Sequence, residues 1–163
     1  MNDRALGRAF SESTGRISRL VLIAMVFAAG LFWTVPARAQ ITDTRVAALV
    51  EALRLSAPNT GIKNDGLFSD WKIKLENIVR WSKRCTGTVM TPAEFEADTQ
   101  KAREILACIM GKILREQYEI SRDELTAVRR AASWWMTGDP DQYDAPQTRP
   151  YTQKVLESYK RAL

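Results

Sequence analysis

The stretch TPAEFEADTQKAREILACIMGKILREQY, residues 91–118, decides the fold because it predicts one long central helix. It begins with Thr-Pro-Ala-Glu, in which Thr91 and Glu94 can form a capping box and proline takes the first helical position. Apolar residues then recur every three or four positions, which gives a stripe wide enough to face a core on two sides. These residues are Phe95, Ala102, Ile105, Leu106, Ile109, Ile113 and Leu114.

Four further helices are predicted around this central one. Amphipathic patterns of the same period cover residues 43–55, 76–84, 121–136 and 150–162. The third pattern opens with Ser-Arg-Asp-Glu, a second capping box with Ser121 as the cap. We therefore expect an all-α fold, a small single-domain bundle of about five helices.

The segment IKNDGLFSDWKIKL, residues 62–75, does not fit a helical pattern. Its apolar residues alternate with lysines near the end, as in a strand. A lone strand is only marginally stable, so we expect an extended or irregular entry into the next helix. Irregular aromatic segments often carry function, which makes Trp71 a candidate binding residue.

The N-terminal residues predict export from the cytoplasm. Residues 1–19 carry four arginines and two acidic residues, and residues 20–35 form an uncharged apolar run of 16 residues. A small-x-small pattern ends at Ala39, so residues 1–39 resemble a signal peptide cleaved after Ala39. The run is shorter than the roughly 20 residues that span a bilayer, although an uncleaved membrane anchor is the alternative. The exported domain is then residues 40–163, periplasmic or secreted.

The net charge of this domain limits the classes of partner that it can bind, and its two cysteines predict a covalent cross-link or buried thiols. Residues 40–163 hold 19 Lys/Arg and 17 Asp/Glu, a net charge of +2, which gives no electrostatic case for nucleic acid. Cys85 and Cys108 are the two cysteines of the chain. In an oxidising compartment they most simply form one disulfide, and two separate buried thiols are the alternative.

The chain has no histidine, which excludes Ser-His-Asp and Cys-His catalysis and axial histidine ligation of haem. No bound cofactor is predicted. Among the acidic residues, Asp139, Asp141 and Asp144 lie in the turn GDPDQYD and could hold a hard cation such as calcium. The alternative is a helix cap followed by an aspartate-rich turn, since aspartate bonds its own backbone there.

Aromatic residues near helix ends are candidate anchors for a partner. Trp81 is surrounded by basic residues, and Trp134 precedes a turn that contains Tyr143. Adjacent helical residues point about 100° apart, so Trp135 is expected in the core and Trp134 on the flank. Core packing of Trp134 is the alternative, because tryptophan is highly buried on average.

These features favour a small exported protein that acts by binding, as an adaptor, an inhibitor or an accessory subunit. Its expected partner is a protein of the periplasm or cell envelope, with membrane contact only if the N-terminal segment is uncleaved. The alternative is a carboxylate enzyme that acts on an extracytoplasmic glycan. Such an enzyme needs a cleft that brings Glu94 or Asp98 near Asp139 or Asp141.

Mass spectrometry of the protein isolated from the producing cell tests the export prediction. We expect a chain that begins at Gln40 and is lighter than the reduced chain by two hydrogens, because the leader is removed and the cysteines are paired. A full-length, reduced chain would contradict both parts of this prediction.

Overall fold

Helices form most of the chain that the computed structural model describes, which is residues 40–62 and 65–163. Gln40–Leu163 form one compact unit, and the predicted signal peptide lies outside the described residues. No helix in this part of the chain is long and apolar enough to cross a bilayer. The helices are α1 (Asp43–Ser56), α2 (Leu75–Thr86), α3 (Pro92–Ala97), α4 (Thr99–Ser121), α5 (Glu124–Thr137) and α6 (Arg149–Ala162), with a 3-10 helix at Pro140–Asp144.

Helix α4 is the axis of the bundle, and α1, α2 and α5 pack against it. Most of its predicted apolar stripe is buried, with Ile105, Leu106 and Leu114 fully inaccessible, whereas Ile113 is only partly buried. Gly111 allows α1 to approach closely, since a Cβ at this position would lie 3.3 Å from Cγ1 of Val46. Helix α6 packs on α1 and α5 and closes the core.

The helix predicted over residues 91–118 is divided into α3 and α4. The capping box that opens it is confirmed, since the Thr91 side chain accepts from the Glu94 N–H and the Glu94 carboxylate accepts the Thr91 N–H at 2.7 Å. The break falls at Asp98, whose backbone is not helical and whose carboxylate accepts the Lys101 N–H at 2.8 Å. An aspartate side chain can accept from backbone N–H groups in this way and so interrupt a helix. The structure therefore has two helices where the sequence predicts one, and the described bundle has six.

The second predicted capping box is wrong in its register. Ser121 is the last residue of α4, and Arg122 takes a left-handed conformation with φ 56°. Asp123 caps α5 instead, because its carboxylate accepts the Thr126 N–H at 2.7 Å. Aspartate and serine are comparable caps, so the sequence pattern alone did not choose between them.

The segment expected to be irregular contains a short antiparallel hairpin. Strand β1 (Leu67–Phe68) pairs with β2 (Ile73–Lys74). Strands this short are marginal by themselves, and Trp71 at the turn fixes them to the bundle. Its side chain is buried, and its indole N–H donates to the Val50 carbonyl at 2.8 Å. The hairpin is therefore part of the core rather than a loose connection.

The predicted disulfide between Cys85 of α2 and Cys108 of α4 is confirmed, with the two Cα atoms 6.2 Å apart. It joins α2 to the central helix at the C-terminal end of α2. Ile78 and Trp81 bury the inner face of α2 on the same side. Helix α2 is thus held by a covalent bond at one end and by packing along its length.

Replacing both cysteines by serine should lower the free energy of unfolding by about 3 kcal/mol, the loop-closure entropy expected for a loop of this length. Urea unfolding of the Cys85→Ser/Cys108→Ser variant measures the loss. The matched control is the reduced wild-type protein, which should show the same loss. Unchanged stability in both would mean that packing alone holds α2 in place.

Candidate functional site

A groove of about 760 Å³ is lined by all four tryptophans of the described chain. Its walls come from the end of α1, the β1–β2 hairpin, α2, the end of α5 and α6. We call it the tryptophan groove, defined by Trp71, Trp81, Trp134 and Trp135. Its volume falls within the range of known ligand pockets, roughly 300–1,000 Å³.

Trp81 is the centre of the aromatic cluster in this groove. Its ring stacks on that of Trp134, with centroids 6.3 Å apart, and contacts that of Trp135 at 5.5 Å. Both distances are in the favourable range for aromatic pairs. The predicted difference between a core Trp135 and a flanking Trp134 is not found, because both rings are partly buried and pack against the core. Trp134 and Trp135 are both half-buried and both face the groove.

The charged residues that line the groove are all cations: Lys72, Lys74, Arg80 and Lys154. No aspartate or glutamate is among its described lining residues. Elsewhere in the described chain, most arginines lie in ion pairs. These pairs include Arg45–Glu124, Arg54–Glu51, Arg103–Glu51, Arg115–Asp43, Arg129–Asp144 and Arg130–Asp141. The described lining of the groove is therefore positively charged although the domain is nearly neutral.

Three polar side chains of α1 and α6 line the groove, and we call them the polar corner: Ser56, Tyr151 and Lys154. Ser56 is buried, and its Oγ has no hydrogen-bond partner among the described residues. Lys154 Nζ donates to the Ser56 carbonyl at 3.5 Å. Tyr151 lies one helical turn before Lys154. Its phenol is protonated at neutral pH, as for an ordinary tyrosine, and burial raises its pKa further.

The structure brings together three of the four predicted anchors and separates the fourth. Trp71, Trp81 and Trp134 line the groove, whereas Tyr143 is not among its lining residues. The guanidinium groups of Arg129 and Arg130 lie over the Tyr143 ring, 5.1 and 5.6 Å from its centroid. Tyr143 thus packs in cation–π contacts that fix the 3-10 helix to α5.

The three aspartates considered for calcium have separate structural partners. Asp139 caps the 3-10 helix by accepting the Asp141 N–H at 2.9 Å. Asp141 pairs with Arg130 at 2.6 Å, and Asp144 pairs with Arg129 at 2.5 Å. Among the described residues, no group of three acidic, cysteine or histidine side chains is placed to hold a metal ion. The turn therefore has the arrangement expected of a cap and an aspartate-rich turn.

The carboxylates considered for catalysis also have structural roles. The Glu94 carboxylate accepts from the backbone and hydroxyl of Thr91, which lowers its pKa. Asp98 caps α4. Neither residue is among those that line the groove.

Sequence reasoning missed the polar corner. A signal was available for two of its residues, since Tyr151 and Lys154 are three positions apart and share a face of one predicted helix. No local pattern indicates Ser56, because its place in the groove depends on how α1 meets α6.

The Asp144→Asn variant should be less stable than wild type at neutral pH and equally stable in acid. Arg129, followed by Arg149, holds the pKa of the Asp144 carboxyl below its usual value. A lowered folded-state pKa contributes stability that is fully present above the unfolded-state value of about 4 and is lost as the pH falls through the lower folded-state value. Urea unfolding at about pH 7 and about pH 2 measures the difference.

Asp70→Asn is the matched control, since Asp70 is exposed and 3.7 Å from Arg54. It should change stability less than Asp144→Asn at neutral pH. A melting temperature that calcium raises in wild type and not in Asp144→Asn would instead indicate a metal site at this turn.

None of the known protein families, curated proteins and solved structures that were compared matches this chain. Its function must therefore be argued from the groove itself. The groove combines stacked indole rings, a cationic lining and a buried hydroxyl that has no partner in the described chain.

Proposed function

We propose that this protein acts by binding, and that a segment of a partner protein lies in the tryptophan groove. The observation that carries the proposal is the gathering of all four described tryptophans on one concave surface. Tryptophan offers a large contact area at a low cost in conformational entropy, and it is enriched among residues that dominate binding energies.

The exposure of the groove residues supports a binding role over a purely structural one. Trp134 and Trp135 are half-buried, and Met136 beside them is 50 % exposed. Contiguous apolar surface that faces water is unfavourable, and in stable proteins it often marks a binding site. Covering this surface with a partner would bury the rings further without rearranging the core.

The expected roles are those of an adaptor, an inhibitor or an accessory subunit. The partner would be met outside the cytoplasm, because residues 1–39 have the pattern of a signal peptide. A carboxylate enzyme is not favoured by any specific observation, since no acidic residue is among the described residues that line the groove.

Two variants in the groove test the proposal in affinity capture from the producing cell. Met136→Glu places a charge among the rings at an exposed position, and Trp134→Ala removes one ring. We expect both to release the partner, with Trp134→Ala weakening binding by about 2 kcal/mol or more, as for a central interface tryptophan.

Ile120→Glu is the matched control for Met136→Glu, because Ile120 is 64 % exposed and is not among the residues that line the groove. The partner should bind this variant as it binds wild type. Circular dichroism would verify that each variant is folded. A partner that binds all three variants with wild-type affinity, or no partner at all, would contradict the proposal.

A further inference from the structure

Three of the four cations of the groove have no carboxylate partner among the described residues. Lys74, Arg80 and Lys154 make no ion pair with a described residue, and Lys72 is 4.0 Å from Asp65. A cleft that carries charge of one sign focuses the electric field and attracts ligands of the opposite sign. The groove is thus electrostatically suited to an anion as well as sterically suited to an apolar group.

The polar corner supplies hydrogen-bond donors for such an anion. The Ser56 hydroxyl is buried without a partner in the described chain, which is an unfavourable state that a bound acceptor would relieve. The Lys154 ammonium lies against the same residue, and the neutral phenol of Tyr151 lines the same groove. A carboxylate can accept from several donors at once, because it has two oxygens and four lone-pair positions.

The cations lie on separate walls of the groove. Lys72 and Lys74 belong to the hairpin, Arg80 to α2 and Lys154 to α6. Helices α2 and α6 do not pack closely against each other, and the four tryptophans line the same groove as these cations. An extended chain with acidic residues on either side of an apolar one could pair with cations on more than one of these elements.

We propose that the segment bound in the tryptophan groove is acidic, with an apolar side chain on the indole rings and carboxylates paired to Lys154 on one wall and to Arg80 and Lys74 on the other. This inference rests on the proposed function and names the chemistry of the partner. Charge-assisted hydrogen bonds to the polar corner would set the position of the segment.

The recessed rings favour a protein segment over an anionic membrane. Trp71 and Trp81 are 1 % and 7 % exposed and lie at the inner side of the groove. Aromatic residues that bind bilayers project into the headgroup layer. A single polypeptide chain can enter a concave groove, whereas a bilayer surface cannot follow its shape.

The test uses a capped peptide with a central phenylalanine between two pairs of glutamates, and the same peptide with glutamines. The indole N–H signals of the ¹⁵N-labelled protein report binding during titration. We expect the signals of Trp81, Trp134 and Trp135 to shift with the glutamate peptide, and that of Trp71 to shift least because it is bonded to Val50. The glutamate peptide should bind at least about tenfold more tightly than the glutamine peptide.

Lys154→Gln should weaken binding of the glutamate peptide about tenfold, the loss expected for one charge-assisted hydrogen bond. Lys160→Gln is the matched control, since Lys160 is exposed on the same helix and is not among the residues that line the groove. It should leave binding unchanged. Equal binding to Lys154→Gln and wild type would overturn the inference.

The remaining outcomes separate the inference from the proposed function. If the two peptides bind equally well in the groove, or if neither binds, the proposal that the bound segment is acidic is overturned. Capture of a partner that depends on Met136 would then still support the proposed function. The same indole signals can be followed with vesicles of anionic phospholipid. If the vesicles shift these signals and the glutamate peptide does not, the ligand is a membrane surface, and the proposal of an acidic segment is overturned.

Discussion

The tryptophan groove depends on the position of α2. This helix is fixed at its C-terminal end by the Cys85–Cys108 disulfide and along its inner face by buried Ile78 and Trp81. Trp81 then stacks on Trp134 and contacts Trp135 at the end of α5, and so joins the two helices. If α2 moved away from α4, Trp81 and the cation Arg80 would move with it, the contacts of Trp81 with Trp134 and Trp135 would be lost, and the groove would lose one wall.

The hairpin depends on a similar anchor, because its strands are too short to be stable alone. Trp71 supplies this anchor in two ways. Its indole N–H donates to the Val50 carbonyl, and the Arg103 guanidinium lies over its ring, 5.2 Å from the centroid. The same ring lines the groove, so one residue both holds the hairpin to the core and contributes to the candidate binding surface.

Many acidic residues cap helices or pair with arginines away from the groove, which explains why the groove is positive in a nearly neutral domain. Asp98, Asp123 and Asp139 cap helices, where a carboxylate satisfies backbone N–H groups and complements the helix dipole. Others neutralise arginines, as Glu124 does for Arg45 while also accepting the Tyr159 hydroxyl at 2.6 Å. These carboxylates are thus occupied away from the groove, and three of the four cations around the tryptophans, Lys74, Arg80 and Lys154, have no carboxylate partner in the described chain.

The sequence by itself determined the helical class, the TPAE capping box, the disulfide and three of the groove residues, because each has a local signature in periodicity, capping chemistry or residue type. The tertiary structure decided the break at Asp98, the cap at Asp123 and the hairpin. At each of these places two local conformations are nearly equal in energy, and packing selects one of them. It also decided the groove. Ser56, Trp135 and Lys154 lie far apart along the chain, and only the contacts between α1, α5 and α6 bring them to one surface.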